Sequence, residues 1–138
     1  MKAGLGAYAK LGMSLDAFGI DTWGVDYGLL DKNGALLGNP RSYRYSEDAD
    51  MEAVWEHIPK RELFMRTGIA SMNFNTLYQL YRRRRENDPA LDNAASLLLM
   101  PDLLGYFFTG EKMSEYTIAT TSMPVSYTHL TLPTIYSV

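Results

Sequence analysis

A short stretch near the beginning of the sequence, GIDTWGVDYG, combines side chains that could bind a polar ligand. Asp21 and Asp26 carry carboxylates that could act as an acid and a base, or could orient hydroxyl groups. Trp23 offers an apolar platform, and Gly24 would let a ligand approach the backbone closely. This mixture suits a sugar, which has hydroxyl edges and an apolar face. The structural alternative is a twisted strand with a bulge at Gly24.

The composition excludes several classes of function. Of the 138 residues, 46% are apolar and 21% are charged, and no apolar run approaches the roughly 18–20 residues that cross a bilayer. The net charge of −3 argues against a nucleic-acid partner. The chain contains 0 cysteines, which excludes disulfides and thiolate metal sites and fits a reducing compartment. We therefore expect a cytoplasmic domain with neither a membrane segment nor a metal site.

The elements that would position the GIDTWGVDYG stretch are predicted from periodicity and turn residues. Alternation predicts strands over residues 17–21 and 25–29, the second with one covered face. Asn33-Gly34 suits a type I′ hairpin turn, because both residues tolerate positive φ. Further strands are predicted over residues 35–38 and 96–100, and helices over residues 2–11, 51–58, 60–67, 76–85 and 102–109. Strands followed by mixed helices and strands indicate an α/β domain.

Capping residues predict where several helices begin and end. Asp50 and Asn75 are expected to N-cap the helices over residues 51–58 and 76–85. Gly68 ends one helix and Gly110 another, each in the position where a left-handed residue is favoured.

The helix over residues 76–85 has two notable surfaces. Leu77, Leu80 and Tyr81 recur at helical spacing and predict its core-facing stripe. The four arginines at positions 82–85 are interpreted as a solvated helix end, where cations are favoured, rather than as a phosphate or nucleic-acid patch. Two acidic residues follow at once, at positions 86 and 88.

Residues 124–138 stand apart from the rest of the chain. The stretch VSYTHLTLPTIYSV follows no earlier periodicity and has no charged residue except possible charge on His129. A transposase-type sequencing adapter, translated in this frame, encodes residues 125–134 without a mismatch. We therefore expect residues 124–138 to be an artefactual tail without a domain or a functional role.

Four segments resemble a known family in order and spacing: FGIDTWGVDYGLLDKNGALLGNP, LFMRTGI, FNTLYQLY and LLLMPDLLGYFFTGEKMSEYTIATT. They are similar to the N-terminal half of rhamnulokinases, sugar kinases of the FGGY group with an actin/hexokinase-like (ribonuclease H-like) fold. The resemblance covers roughly residues 14–122. It implies that residues 1–123 are a partial N-terminal kinase domain, whose first strands and phosphate-binding turn are missing.

The resemblance also implies an activity. Rhamnulokinases transfer the γ-phosphoryl group of ATP to the 1-hydroxyl of L-rhamnulose with the help of Mg²⁺. In the family, the glycine that matches Gly24 contacts the sugar; Trp23 and Asp21 are predicted neighbours of that contact, and Asn75 a further one. The catalytic aspartate and the ATP-binding domain would lie beyond residue 122. No catalytic residue is therefore assigned here, and the chain alone is expected to bind neither ATP nor Mg²⁺ and to be inactive.

Two alternatives to this function stay open. One is a kinase for another ketose, such as xylulose or fuculose. The other is a non-catalytic carbohydrate-binding or interaction module. The sequence also departs from the family pattern: Tyr45 and Glu47 replace a usual Asp and Arg, and Ile118 replaces a usual Asn.

Overall fold

The computed structural model describes residues 2–12 and 14–123 of the chain. The predicted artefactual tail, residues 124–138 with His129, lies outside the described residues. In chain order the elements are α1 (Lys2–Ala9), β1 (Tyr27–Leu30), α2 (Asp48–Trp55), α3 (Lys60–Thr67), α4 (Thr76–Arg85), α5 (Pro89–Asn93), β2 (Ser96–Leu99), α6 (Met100–Thr109) and α7 (Tyr116–Ala119), with 3₁₀ turns at Tyr43–Tyr45 and Thr120–Ser122. None of the described helices is long and apolar enough to cross a membrane.

Strands β1 and β2 form an antiparallel pair at the centre of the described residues, with Tyr27 opposite Leu99 and Leu30 opposite Ser96. All four residues of β1 are buried, so the prediction of one covered face is wrong. Alternate side chains enter different cores because successive residues of a strand point to opposite faces. One face packs with α4, α5 and α7, and the other packs with Leu103 of α6.

The strand predicted over residues 17–21 is absent, and this segment is irregular and mostly exposed. A strand persists only where a neighbouring strand accepts and donates its backbone hydrogen bonds. No described strand lies beside residues 17–21, so the alternating pattern alone does not produce one.

The predicted turn at Asn33-Gly34 occurs, but its type differs from the prediction. Only Gly34 has positive φ, +82°, whereas a type I′ turn requires positive φ at both central residues. The Asp31 carboxylate stabilises the turn instead, because its Oδ1 accepts hydrogen bonds of 2.8 Å from the N–H groups of Asn33 and Ala35. The predicted returning strand is reduced to one bridge between Leu30 and Leu36.

Helices α3, α4 and α6 begin and end close to their predicted positions. Gly68 and Gly110 end α3 and α6 with φ of +70° and +78°. The prediction for α2 is wrong by three residues at each end: the helix begins at Asp48 with Glu47 as its N-cap, and Asp50 is the third helical residue, reciprocally bonded to Glu47.

The buried face of α4 differs from the predicted stripe. Leu77, Leu80 and Tyr81 do pack against the apolar cores, as predicted, but they are only half-buried. The fully buried positions are Thr76, Tyr78, Gln79 and Arg83. Tyr78 packs with side chains of α2 and α3, while the three polar residues face backbone and charged groups near β1. Helix α4 is therefore positioned by buried polar contacts as well as by apolar packing.

Candidate functional site

A cleft of about 700 Å³ opens beside the turn that precedes β1. Four short segments line it: this turn, the first 3₁₀ turn, the loop from α3 to α4, and the second 3₁₀ turn. None of the lining residues is charged. They are Trp23, Gly24, Val25, Tyr43, Gly68, Ile69, Phe74, Asn75, Thr120 and Thr121.

The cleft brings together three of the four residues predicted to bind a ligand. Trp23, Gly24 and Asn75 all line it, although Asn75 is about 50 positions away in sequence. Asp21 does not line this cleft. It faces an adjoining depression of about 550 Å³, which Trp23 also lines, formed with Phe18, Phe108 and other residues near α1 and α6.

Trp23 is held by its polar edge while much of its ring remains accessible. Its Nε1–H donates a hydrogen bond of 2.7 Å to Oδ2 of Asp26. The residue is nevertheless 53% exposed. An indole fixed in this way offers an apolar face of defined orientation, which is the kind of surface against which a sugar ring stacks.

The surroundings of Gly24 leave room for a small side chain. A Cβ atom at this position would be 3.5 Å from Oγ1 of Thr121 and 3.8 Å from Cδ1 of Ile118, both ordinary contacts. Gly24 also lacks a positive φ. Neither packing nor backbone geometry therefore requires glycine here, which leaves close approach of a ligand as a reason for it.

Asn75 supports the wall of the cleft, because both ends of its side-chain amide are hydrogen-bonded within the protein. Its Oδ1 accepts a 2.7 Å hydrogen bond from the N–H of Met72, and its Nδ2 donates to the carbonyl of Thr121 at 3.4 Å. Asn75 is the N-cap residue of α4, as predicted, but its side chain makes no capping hydrogen bond, because the amide is turned back toward these partners. Asn75 thus joins two of the four lining segments.

Asp26 lies directly behind the cleft and is 3% exposed. Its Oδ2 accepts from Trp23, and its Oδ1 accepts a 2.9 Å hydrogen bond from the N–H of Tyr43. Burial raises the pKa of Asp26 above its ordinary value, although these two donors oppose the shift. Both oxygens are used within the protein, so Asp26 holds two residues of the cleft instead of facing a ligand.

The arginines at positions 82–85 are not simply a solvated helix end. Arg83 is buried, pairs with Asp88 at 2.8 Å and lies 5.7 Å from the centre of the Tyr27 ring. The other three also pair with carboxylates, Arg82 with Glu47, Asp50 and Glu86, Arg84 with Asp92, and Arg85 with Asp50. These pairs connect α4 to α2 and α5, which the sequence interpretation missed.

The residues that depart from the family pattern lie outside the cleft. Tyr45 is 75% exposed and borders a smaller cavity with Arg82 and Arg83. Glu47 caps α2 and pairs with Arg82. Ile118 is inside α7, whose first turn is capped by Glu115. Of the whole segment from 43 to 48, only Tyr43 lines the cleft.

Comparison with curated proteins shows which proteins this chain resembles. The chain is 46% identical over 124 residues to a rhamnulokinase of Bacteroides thetaiotaomicron, a match that covers 89% of this chain and 26% of the relative. A rhamnulokinase of Enterobacter sp. is 43% identical, and the match covers 91% of this chain and 26% of the relative. A rhamnulokinase of Oceanobacillus iheyensis is also 43% identical, with 80% of this chain and 24% of the relative covered. The chain is thus related by sequence to rhamnulokinases. It spans about a quarter of the length of these relatives.

Solved structures confirm the fold class of this rhamnulokinase-like chain. A carbohydrate kinase from Novosphingobium aromaticivorans matches with a TM-score of 0.62 and 26% identity, over 75% of this chain and 22% of that one. A ligand-bound xylulose kinase from Lactobacillus acidophilus matches with a TM-score of 0.67 at 14% identity, over 78% and 22%. No family model matches the sequence. The described residues share part of the α/β, actin/hexokinase-like fold of these carbohydrate kinases.

Proposed function

We propose that this rhamnulokinase-like chain supplies one wall of the sugar site of an ATP-dependent kinase. Its parent would phosphorylate L-rhamnulose at the 1-hydroxyl, as a step of rhamnose catabolism in the cytoplasm. The observation that carries the proposal is the uncharged cleft, which is lined both by the fixed Trp23 ring and by the 3₁₀ turn at Thr120 and Thr121. A neutral sugar matches this lining better than an anionic ligand would.

Within the proposed site, each residue has a positioning task. The Trp23 face would pack on the apolar face of the sugar. Gly24 would admit a sugar hydroxyl to the backbone. Tyr43 and the threonine hydroxyls would border its polar edge, while Asn75 would hold the opposite segments together. Asp21 remains a proposed neighbour of this wall, reached from the adjoining depression.

The cleft does not fit ATP, and the described residues do not fit Mg²⁺. They contain no group of three His, Asp or Glu side chains that could hold a metal ion, and the cleft has no cationic side chain to face phosphates. We therefore assign no step of phosphoryl transfer to this chain. We expect the purified 138-residue chain to show no turnover of ATP with L-rhamnulose; reproducible turnover would contradict this part of the proposal.

A chimera tests the proposed sugar site in an active context. Residues 14–123 would replace the corresponding segment of the Bacteroides rhamnulokinase, which is 46% identical to this chain. Initial rates would be measured with L-rhamnulose, L-fuculose and D-xylulose at saturating ATP. The proposal predicts a preference for L-rhamnulose; a preference for either other ketose would support the alternative kinase and overturn this substrate.

The matched control in the chimera separates the cleft from the rest of the fold. Gly24→Val places a branched side chain in the cleft and is expected to raise KM for the sugar about tenfold or more while leaving KM for ATP unchanged. Gly105→Ala lies in α6 with open space around its added methyl group, and both constants should stay the same. Equal effects of the two substitutions would remove Gly24 from the proposed site.

A further inference from the structure

The backbone at the cleft wall makes an unusually tight turn centred on Val25. The N–H of Asp26 donates a 2.9 Å hydrogen bond to the carbonyl of Gly24, only two residues earlier. Val25, between them, has φ of +68°. This is a γ-turn of the rare, positive-φ hand, and a β-branched residue adopts it only under strain. Strain of this kind persists where surrounding contacts hold the backbone in place.

Two buried side chains of α4 hold the strained residue. The carbonyl of Val25 accepts hydrogen bonds from Oγ1 of Thr76 at 2.7 Å and from Nε2 of Gln79 at 3.2 Å. Thr76 is completely buried and Gln79 nearly so. Gln79 also donates a 2.8 Å bond to the carbonyl of Phe74, at the cleft wall. The first turn of α4 is therefore bonded to the same peptide that orients Gly24.

A third contact holds the other side of the turn. The buried Asp26 carboxylate joins the indole of Trp23 to the backbone of Tyr43. The turn at Val25 is thus bonded on both flanks, and its two neighbours toward the cleft, Trp23 and Gly24, cannot shift without breaking one of these bonds. When Asp26 is ionised, its carboxylate makes the Trp23 bond stronger than a neutral acceptor would.

We propose that Thr76, Gln79 and Asp26 are positioning residues that keep the strained γ-turn at Val25 closed and so set the orientation of Trp23 and Gly24 in the cleft. None of the three needs to touch the ligand. That the oriented wall receives a sugar rests on the proposed function above, but the orientation of Trp23 can be measured without any sugar.

The first measurement uses the full 138-residue chain with Trp55→Phe, which leaves Trp23 as the one tryptophan. The ¹H–¹⁵N signal of its indole N–H reports the bond to Asp26. Thr76→Val removes the hydroxyl and keeps the shape of the side chain. We expect this signal to shift or broaden, and its exchange with solvent to become about tenfold faster. Thr109→Val, on α6 and away from the cleft, is the matched control and should change neither.

Relief of backbone strain provides the decisive second measurement. Glycine adopts positive φ without cost, so Val25→Gly should keep the turn closed without the Thr76 hydroxyl. In the double variant with Thr76→Val and Val25→Gly, the Trp23 signal should return toward its original position even where the melting temperature does not recover. An unchanged signal in Thr76→Val, or no return in the double variant, would overturn the proposal. Should Thr76→Val fail to fold, Gln79→Leu takes its place with the same expected outcomes.

Titration with L-rhamnulose separates this proposal from the proposed function. If the chain binds no sugar but Thr76→Val moves the Trp23 signal, the positioning role stands and the sugar assignment fails. If the chain binds L-rhamnulose and Thr76→Val leaves both affinity and signal unchanged, the positioning role fails and the sugar assignment stands. If both proposals hold, Thr76→Val should weaken the binding of L-rhamnulose about tenfold, and the double variant should recover the original affinity.

Discussion

At the scale of single residues, chemically similar side chains have different roles according to where the chain places them. Asp21 and Asp26 are five positions apart, but only Asp26 is buried and bonded behind the cleft. Gly24 and Gly28 are four positions apart, and again the surroundings differ. A Cβ at Gly28 would lie 2.6 Å from Cδ2 of Leu103, whereas one at Gly24 would meet only ordinary contacts.

Substitution by alanine is therefore expected to have different consequences at these two glycines. Gly24→Ala should change the free energy of unfolding by less than about 0.5 kcal/mol and weaken sugar binding. Gly28→Ala should destabilise the chain by about 1–3 kcal/mol, because the methyl group overpacks the core around Leu103. Urea unfolding of both variants, with sugar titration of the folded protein, checks the pair. Equal losses of stability in the two variants would contradict the conclusion that Gly24 borders open space while Gly28 is packed in the core.

The lowered pKa of Asp88 predicts how the stability of the chain depends on pH. Burial raises the pKa of this carboxyl, but the N–H of Ala90 and the Arg83 guanidinium outweigh burial, and the pKa lies below its ordinary value of 3.8. A lowered pKa means that the unfolded chain binds protons more readily, so the contribution to stability is present above pH 3.8 and is lost as the pH falls through the folded-state pKa.

Asp88→Asn should accordingly lower the free energy of unfolding at pH 7 by about 3 kcal/mol, because buried Arg83 loses its counter-charge. The acid limb of the stability curve should become shallower. Asp92→Asn is the matched control: its pair with Arg84 is exposed on both sides, and the loss should be under about 0.5 kcal/mol. Urea unfolding between pH 3 and pH 7 measures both variants, and identical curves would argue against the buried pair.

At the scale of elements, α6 illustrates how local backbone conformation defines the end of a helix. Pro101 is in its first turn, and Gly110 ends it with φ of +78°. Gly105 lies inside the same helix and has no unusual φ. The two glycines have equally open surroundings, since no atom lies within 4 Å of a Cβ built at either one.

Alanine at these two positions should therefore act in opposite directions. Gly110→Ala should cost about 1 kcal/mol of stability, because alanine is strained at positive φ. Gly105→Ala should stabilise by about 0.5–1 kcal/mol, since it removes backbone freedom from the unfolded chain and has a higher helix propensity. Thermal unfolding followed by circular dichroism measures the change in stability of each variant. A loss of stability in both variants would be inconsistent with the open space around Gly105.

At the scale of the whole molecule, the segment between α1 and β1 leaves apolar side chains uncovered. Leu11 is 71% exposed, and Leu15 and Phe18 are each 49% exposed. Along the described part of the chain, this segment forms no strand pairing. Exposed apolar side chains in a row, next to unpaired backbone, favour association with other molecules.

We expect the isolated chain to associate with itself as its concentration rises. Sedimentation velocity between 5 and 200 μM would show the weight-average mass increasing, and the double variant Leu11→Ser with Leu15→Ser should reduce that increase. Met65→Ser is the control, because Met65 is 72% exposed but belongs to α3 and not to this segment. A chain that sediments as a monomer throughout would show that these side chains do not drive association.

The sequence by itself determined the features that depend on a few neighbouring residues. Proline and glycine signals placed α3 and the end of α6 correctly, the apolar run placed β2, and the DTWGVD and FNTLYQL motifs indicated the similarity to rhamnulokinases that the comparisons also find. Trp23, Gly24 and Asn75, predicted from motif resemblance, do share one cleft, although their contact with a sugar stays a prediction.

Only the tertiary structure decided which polar groups are buried and what they bond. The hydroxyl of Thr76 reaches the carbonyl of Val25 across 51 positions, and Asp26 reaches the backbone of Tyr43 across 17. Likewise, residues 17–21 alternate like a strand but have no strand beside them in the described fold. Local signals act through contacts within one or two turns of chain, whereas burial, strand pairing and backbone strain depend on partners that folding brings from distant positions.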